Sequence, residues 1–263
     1  MPINAGILRE DEFVYFLNGK KAKDISENLR SMMERLFGIV DPEKKISCFK
    51  TQDYIKPDII IKHRRIEKAV SIKSSSSHVM HNEQIKTFIL FLRSLGISTK
   101  TQQTILLYQY GDGTMDGTGS KRHASSEVQE LLKERIKEAN DELNNSKDII
   151  KAVINRVIFD GVVPEARKAD AIYHGDVKKG VVVTREQMMK HIDKKEKEDW
   201  YYTRVLHIGP LVLTPAARYV DQPERDGKKR HIIECIWTKF AEDMEYISMR
   251  YTYYSSPFLW KKQ

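Results

Sequence analysis

Two short apolar segments, separated by a polar turn, constrain the fold of this chain more than any other feature. The first covers residues 57–61, the second covers residues 69–73, and both are rich in β-branched side chains. The basic turn His63-Arg64-Arg65 lies between them. Apolar, β-branched runs of this length that are bounded by turn residues are typical of β-strands. The sequence therefore predicts a β-hairpin at residues 57–73.

Helical patterns flank this hairpin on both sides. Residues 21–37 and 82–95 carry apolar side chains at helical spacing, and each stretch is followed by a glycine, Gly38 or Gly96, that favours a helix end. A short strand is predicted at 47–52, before the hairpin, and a fourth strand at 104–110. The order helix, three strands, helix, strand predicts an α/β protein with a mixed central sheet.

The second half of the chain has a different character. Residues 111–126 are rich in Gly, Ser and Thr, which indicates a loop or linker. Helices are predicted at 127–144, 147–159 and 184–195, and short strands at 181–183, 205–208, 211–213 and 231–237. We therefore expect a core domain at residues 1–110, a linker at 111–126 and an α+β C-terminal elaboration at 127–263.

Charge and cysteine content narrow the classes of function. The chain has 45 Lys and Arg against 37 Asp and Glu, a net charge of +8, which favours a polyanionic partner. Its two cysteines are too few for a disulfide scaffold or a cysteine-rich zinc module. We find no signal-peptide pattern and no apolar run of the roughly 18 residues that a membrane span requires. A cytoplasmic protein with no membrane partner is expected.

Ionisable residues fall at the ends of the predicted hairpin strands. Asp58 stands at the head of the first strand, and Lys73 ends the second. Ser71 and Lys73 are two residues apart, so they face the same side of the sheet. Glu83 is predicted to open the helix that follows. Together these positions could place two carboxylates and one ammonium at one end of the hairpin.

Such a set suits the hydrolysis of a phosphodiester bond. Two carboxylates can hold Mg²⁺, which prefers oxygen ligands. The metal ion lowers the pKa of its bound water and neutralises phosphate charge. A lysine can position that water or stabilise the charge that grows on the phosphoryl oxygens. The residue types therefore point to a metal-assisted hydrolase that acts on a phosphate ester.

The pattern Pro57-Asp58, a hairpin, then Ser71-Ile72-Lys73 resembles the PD-(D/E)XK nuclease superfamily, which has the restriction-endonuclease-like fold. The predicted elements over residues 20–110 match its αβββαβ core. The family usually has Glu or Asp where this chain has Ser71, but a subset of Type II restriction enzymes carries Ser-x-Lys and moves the acid to the next helix. Glu83 resembles that migrated acid.

The resemblance implies Asp58 and Glu83 as Mg²⁺ ligands and Lys73 as the catalytic lysine. The family often adds a glutamate from its first helix, and either Glu34 or Glu27 could serve here. The implied activity is Mg²⁺-dependent cleavage of DNA by a restriction-type endonuclease. Because Ser71 replaces the usual acid, a non-catalytic DNA-binding protein on a degenerate nuclease fold is the main alternative. An assembly factor without nucleic acid is a weaker one.

The partner implied is double-stranded DNA, and basic or polar residues are candidates to contact its backbone. Each basic cluster alone is usually an ordinary solvated surface, whereas for the serine-rich loop the two interpretations are about even. The candidates are Arg64, Arg65, Ser75, His78, Lys121, Arg122, Lys228, Lys229 and Arg230.

A homodimer is also expected, because cutting both strands at one position needs two active sites. Its contact is predicted beyond residue 127, where the apolar stripe at 149–157 and the aromatic residues at 251–260 offer surfaces.

Overall fold

The computed structural model describes residues 5–51, 56–119, 121–200, 202, 204–221 and 227–252. The chain divides into two compact units. The first consists of Met1–Ser77, Ile158–Asp193 and Lys239–Gln263, and the second of His78–Val157 and Lys194–Thr238. The predicted division was a core at 1–110, a linker at 111–126 and a C-terminal region at 127–263. The structure divides the chain differently, because each unit combines separate stretches of chain. None of the helices described is long and apolar enough to cross a membrane.

The secondary structure follows the chain in this order. The strands are β1 (Ile46–Lys50), β2 (Ile59–His63), β3 (Ile66–Lys73), β4 (Val79–Gln84), β5 (Ala171–Gly175), β6 (Gly180–Thr184), β7 (His207–Ile208), β8 (Leu211–Pro215) and β9 (Ile232–Ile236). The helices are α1 (Ala5–Leu17), α2 (Glu27–Phe37), α3 (Ile85–Ser94), α4 (Thr99–Tyr110), α5 (Ser125–Leu131), α6 (Lys133–Leu143), α7 (Lys147–Ile154), α8 (Arg185–Lys194), α9 (Ala217–Asp221) and α10 (Phe240–Thr252). A π-helical turn, Asn155–Asp160, follows α7.

The first unit is built on a five-stranded mixed sheet with the strand order β1-β2-β3-β5-β6. The strands β1, β2 and β3 pair antiparallel, β5 runs parallel to β3, and β6 returns antiparallel to β5. The predicted hairpin is therefore present as β2 and β3, and Arg64 makes its turn with a φ of 56°. The predicted fold class, an α/β protein with a mixed sheet, is confirmed.

Two helices cover one face of this sheet. Ser26 caps the start of α2 by accepting a hydrogen bond from the Leu29 N–H, and Gly38 ends the helix at a φ of 72°. The other helix, α1, was not predicted, although Phe13 and Leu17 are four residues apart and both are buried. The core between the helices and the strands contains Phe13, Leu17, Leu29, Met32, Met33, Leu36, Ile46, Cys48, Ile59, Ile61, Val70, Ala171 and Tyr173.

The prediction of a fourth strand at 104–110 is wrong, because these residues belong to α4. Ser98 caps this helix at its start, and Gly111 ends it in the left-handed conformation at a φ of 57°. From Thr101 to its end the helix has no exposed residue. A helix that is covered on all sides shows no alternation of apolar and polar faces, so periodicity cannot reveal it. The strand that lies parallel to β3 is β5, which the sequence pattern did not indicate.

The second unit contains an antiparallel sheet with the strand order β4-β9-β8-β7. The predicted helix at 127–144 is present as α5 and α6, and the predicted strands at 211–213 and 231–237 are present as β8 and β9. The helix expected to begin at residue 82 begins instead at Ile85, because residues 79–84 form β4 and pair with β9. Glu83 is therefore a strand residue.

Buried methionines in the first unit provide a test of this core. Met33 is fully buried on α2, whereas Met249 on α10 is 63% exposed. Met33→Ala should lower the free energy of unfolding by about 2 to 5 kcal/mol, because it removes packed atoms and leaves a cavity. Met249→Ala, the matched control, should change it little. Urea denaturation measures both, and equal losses for the two variants would contradict the described packing.

Candidate active site

The β2–β3 hairpin brings Asp58 and Ser71 together. The register pairs Ile59 with Val70, which sets Asp58 opposite Ser71. The Ser71 hydroxyl donates a hydrogen bond of 3.0 Å to Asp58 Oδ2, and the backbone N–H of Ile72 donates to the same oxygen. Two donors on the neighbouring strand therefore hold the Asp58 carboxylate at the head of β2.

Lys73 lies two residues beyond Ser71 on the same face of β3. Its side chain is half-buried, and desolvation lowers the pKa of its ammonium group, while the negative charge of Asp58 opposes that shift. The parallel ladder sets Lys73 beside His174 of β5. The structure therefore brings Asp58 and Lys73 together with Ser71, whereas Glu83, the third ionisable residue predicted for this end of the hairpin, lies on β4.

Sequence reasoning missed a second carboxylate in this region, Glu10 of α1. Burial raises the pKa of Glu10 above its usual value, the charge of Asp58 raises it further, and Lys50 opposes the shift. Lys50 Nζ lies 3.3 Å from Glu10 Oε2 and 3.1 Å from Asp11 Oδ1. Glu10 of α1 is therefore within electrostatic range of Asp58. The signal that could have found it is the acidic run at 10–12, next to the helical pair Phe13 and Leu17.

Glu34 and Glu27 were the alternative candidates for a further acid from the first helix, and neither is part of this site. Glu27 and Glu34 are both exposed on α2, whose opposite face is buried against the sheet. Within the described parts of the chain neither has an interaction with Asp58. The helical acid that interacts with Asp58 is Glu10.

Glu83 occupies a closed ion pair in the second unit. Arg156 donates two hydrogen bonds to the Glu83 carboxylate, from Nε to Oε1 at 3.0 Å and from Nη2 to Oε2 at 2.7 Å. The Arg156 guanidinium lies 4.5 Å from the centre of the Phe91 ring, and His81 Nε2 is 3.4 Å from Glu83 Oε1. The carboxylate is only 3% exposed, so both of its oxygens are engaged by the protein. This arrangement argues against the predicted role of Glu83 as a migrated metal ligand.

The candidate DNA contacts of the first unit are mostly open to solvent. Arg65 and Ser75 are exposed, and Arg64 is exposed although it pairs with Asp41 at 2.8 Å. An exposed ion pair of this kind is weak, so Arg64 can exchange Asp41 for a phosphate.

The candidates in the second unit fall into two groups. His78, Lys121 and Lys228 are exposed, and Lys229 is half-buried. Arg122 is only 6% exposed and donates to the backbone carbonyls of Tyr108 and His123, so it is a structural arginine rather than a surface contact.

Arg230, like Arg122, is engaged by groups within the protein. It is half-buried, and its Nη2 lies 3.7 Å from Asp112 Oδ2. The Arg230 side chain therefore pairs with an internal acid while it stays partly exposed to solvent.

A site built on Asp58 would suit Mg²⁺ better than a metal ion that is held entirely by protein side chains. Among the described residues, no three His, Cys, Asp or Glu side chains form a group that could hold a metal ion. Mg²⁺ commonly takes one or two carboxylates and completes its shell with water and substrate phosphate. Both hydrogen bonds to the Asp58 carboxylate end on Oδ2, and nothing in the described chain donates to Oδ1. Oδ1 of Asp58 is therefore the oxygen of this carboxylate that is left for a metal ion.

Comparison of the chain with known protein families, with curated proteins and with solved structures gives no significant match. The resemblance to the PD-(D/E)XK nucleases consequently rests on the motif and on the arrangement of the hairpin.

The Glu83–Arg156 pair provides a test that separates a structural role from metal binding. Glu83→Gln should lower the free energy of unfolding by about 3 kcal/mol, because it leaves a buried guanidinium without its counter-charge. Glu138→Gln is the matched control, since Glu138 pairs with Lys100 on the surface, and it should change stability little. A Glu83→Gln protein that melts at the wild-type temperature would contradict the structural role.

The effect of Glu83→Gln on the free energy of unfolding should depend on pH. Burial raises the pKa of Glu83, but the contacts from His81 and Arg156 outweigh burial and hold it below the ordinary value of 4.5. A carboxyl with a depressed pKa stabilises the fold above its ordinary pKa and loses that contribution as the pH falls through the lower value. The stability difference between wild type and Glu83→Gln should therefore be largest above pH 4.5 and shrink below it.

Proposed function

We propose that this chain is a Mg²⁺-dependent endonuclease of the restriction type, which hydrolyses phosphodiester bonds in double-stranded DNA. The observation that carries the proposal is the placement of Asp58 and Lys73 on one face of the β2–β3 hairpin. Asp58 is held there by Ser71 and Ile72, and the ammonium of Lys73 interacts with it electrostatically. Glu10 supplies the second acid.

The topology of the first unit supports the proposal. Three antiparallel strands, a fourth strand parallel to the third, and helices against one face are the features expected of an αβββαβ nuclease core. The parallel strand is β5 rather than the stretch at 104–110, so the connection from β3 to β5 includes residues 78–157 of the second unit.

The residues of the site divide the chemistry among them. Asp58 and Glu10 would hold Mg²⁺, which activates a water molecule and neutralises charge on the phosphate. Lys73 Nζ donates hydrogen bonds to the attacking water or to a phosphoryl oxygen, where negative charge develops. Partial burial strengthens that interaction, because fewer water molecules screen the ammonium. Lys50 balances the negative charge that Glu10 and Asp11 bring to this end of the sheet.

The proposed partner is DNA, and the support for it is charge. The chain carries a net charge of +8, and Arg65, Lys121 and Lys228 are exposed cations that could neutralise phosphates. Neutralising phosphates releases counterions, so binding through these residues would weaken as salt rises.

The proposal includes a homodimer, because a double-strand cut requires two active sites. The stripe at 149–157 is not an open surface for this contact, since Ile150, Val153, Ile154 and Val157 are buried. Residues 253–260 of the aromatic segment lie outside the described residues. Among the described residues beyond 127, exposed apolar side chains that remain suited to it include Leu131, Val162, Val163 and Tyr246.

The main alternative is a DNA-binding protein without catalytic activity. It is favoured by Ser71, which stands where the family usually has an acid. Cleavage separates the two possibilities, since the alternative predicts binding to DNA in a gel-shift assay but no Mg²⁺-dependent cutting.

The experiment is cleavage of a plasmid with Mg²⁺ and with EDTA. Wild-type protein should cut only with Mg²⁺. Asp58→Asn should abolish cutting because it removes a ligand charge, and Lys73→Met should slow it by about 10²- to 10³-fold because charge on the phosphate is no longer stabilised. Asp24→Asn and Lys20→Met, at exposed positions of the same unit, are the matched controls and should cut at the wild-type rate.

Cutting by Asp58→Asn at the wild-type rate would show that the site is wrong. DNA binding by the wild type without any Mg²⁺-dependent cutting would establish the non-catalytic alternative.

A further inference from the structure

Position 71 differs chemically from the acid that the resemblance leads one to expect. Ser71 is only 1% exposed, and its hydroxyl is used within the protein, as a donor to Asp58 Oδ2. The Ile72 N–H donates to the same oxygen. A hydroxyl can donate such a hydrogen bond, whereas an ionised carboxylate can only accept.

An ionised acid at this position would repel the Asp58 carboxylate instead of donating a hydrogen bond to it. It would bring a second carboxylate into a buried place next to Asp58, and two neighbouring carboxylates there cannot both remain ionised without a cation between them. A serine removes this repulsion and replaces it with attraction. The substitution therefore changes how Asp58 is held, and not only how many acids the site contains.

We infer that Ser71 is a positioning residue for Asp58: with the Ile72 N–H it fixes Oδ2 and so presents Oδ1 as the oxygen that binds the metal ion. This inference rests on the proposed function. It explains why the site works with Glu10 as its second acid, because position 71 orients one ligand instead of supplying another. The serine is thus an adapted feature of the site and not a sign of decay.

The inference predicts an unusual order of variants. Ser71→Ala removes the donor, so Asp58 can rotate. Ser71→Glu restores the acid usual in the family but also removes the donor and adds like charge, so it should be worse than wild type. Ser71→Thr keeps the hydroxyl and should retain function. Ser47→Ala is the matched control, because Ser47 is an exposed serine on β1 of the same sheet.

The measurements are the dissociation constant of Mn²⁺ by titration calorimetry, with no DNA present, and kcat and KM for a DNA duplex. Ser71→Ala should weaken Mn²⁺ binding and lower kcat by about 10- to 100-fold, the usual effect of losing a partner that orients a metal ligand. KM should stay near the wild-type value, since Ser71 is buried away from the DNA. Ser71→Thr and Ser47→Ala should resemble wild type. Melting temperatures identify any variant that fails to fold.

Two results would overturn the inference: a folded Ser71→Ala with wild-type Mn²⁺ affinity and kcat, or a Ser71→Glu that exceeds wild type in either. If Ser71→Thr does not fold, the comparison of Ser71→Ala with Ser47→Ala still decides. A wild-type protein that neither binds Mn²⁺ nor cleaves DNA would remove the proposed function and this inference together. Normal wild-type behaviour with an unaffected Ser71→Ala would remove the inference alone.

Discussion

The antiparallel pairing of β2 with β3 is the interaction on which the rest of the site depends. It sets Asp58 opposite Ser71, so that the serine hydroxyl and the next backbone N–H hold one carboxylate oxygen. It also sets Lys73 two residues further along the same face. A shift of one residue in this register would turn these side chains to the opposite face, where the apolar core lies. The packing of Ile59, Ile61 and Val70 in that core therefore secures the geometry of the polar face.

Glu83 and Glu10 are carboxylates in two different surroundings. Glu83 is buried and gripped by Arg156, an arrangement that stabilises a fold and leaves no oxygen open. Glu10 is partly exposed, its pKa is raised by burial and by Asp58, and its cationic neighbour is a flexible lysine. Breaking the exchangeable contact with Lys50 costs far less than breaking a buried bidentate pair. Glu10 is therefore the acid that we propose as the second metal ligand.

The hairpin, α2 and the placement of Asp58 and Lys73 at the ends of the hairpin strands could be predicted, because they depend on local pattern. The helix α4 could not, because a helix buried on all sides has no polar face to reveal its period. The parallel neighbour of β3 is β5, which follows the long excursion of residues 78–157 through the second unit, and local sequence carries no signal for such a pairing. Glu10 stands in an acidic run at 10–12 that the sequence does show, but its electrostatic interaction with Asp58 depends on the tertiary structure, because the two residues are far apart in sequence.

The central claim is that Asp58 and Glu10 form the metal site of a phosphodiesterase. Anomalous diffraction from crystals soaked in Mn²⁺ tests it most directly, because it locates the ion without assuming any activity. The account predicts a peak in ligand contact with Asp58 Oδ1 and with the carboxylate of Glu10, and no peak at Glu83. Crystals that show no peak at Asp58, or an ion bound to Glu83 in place of Arg156, would contradict it.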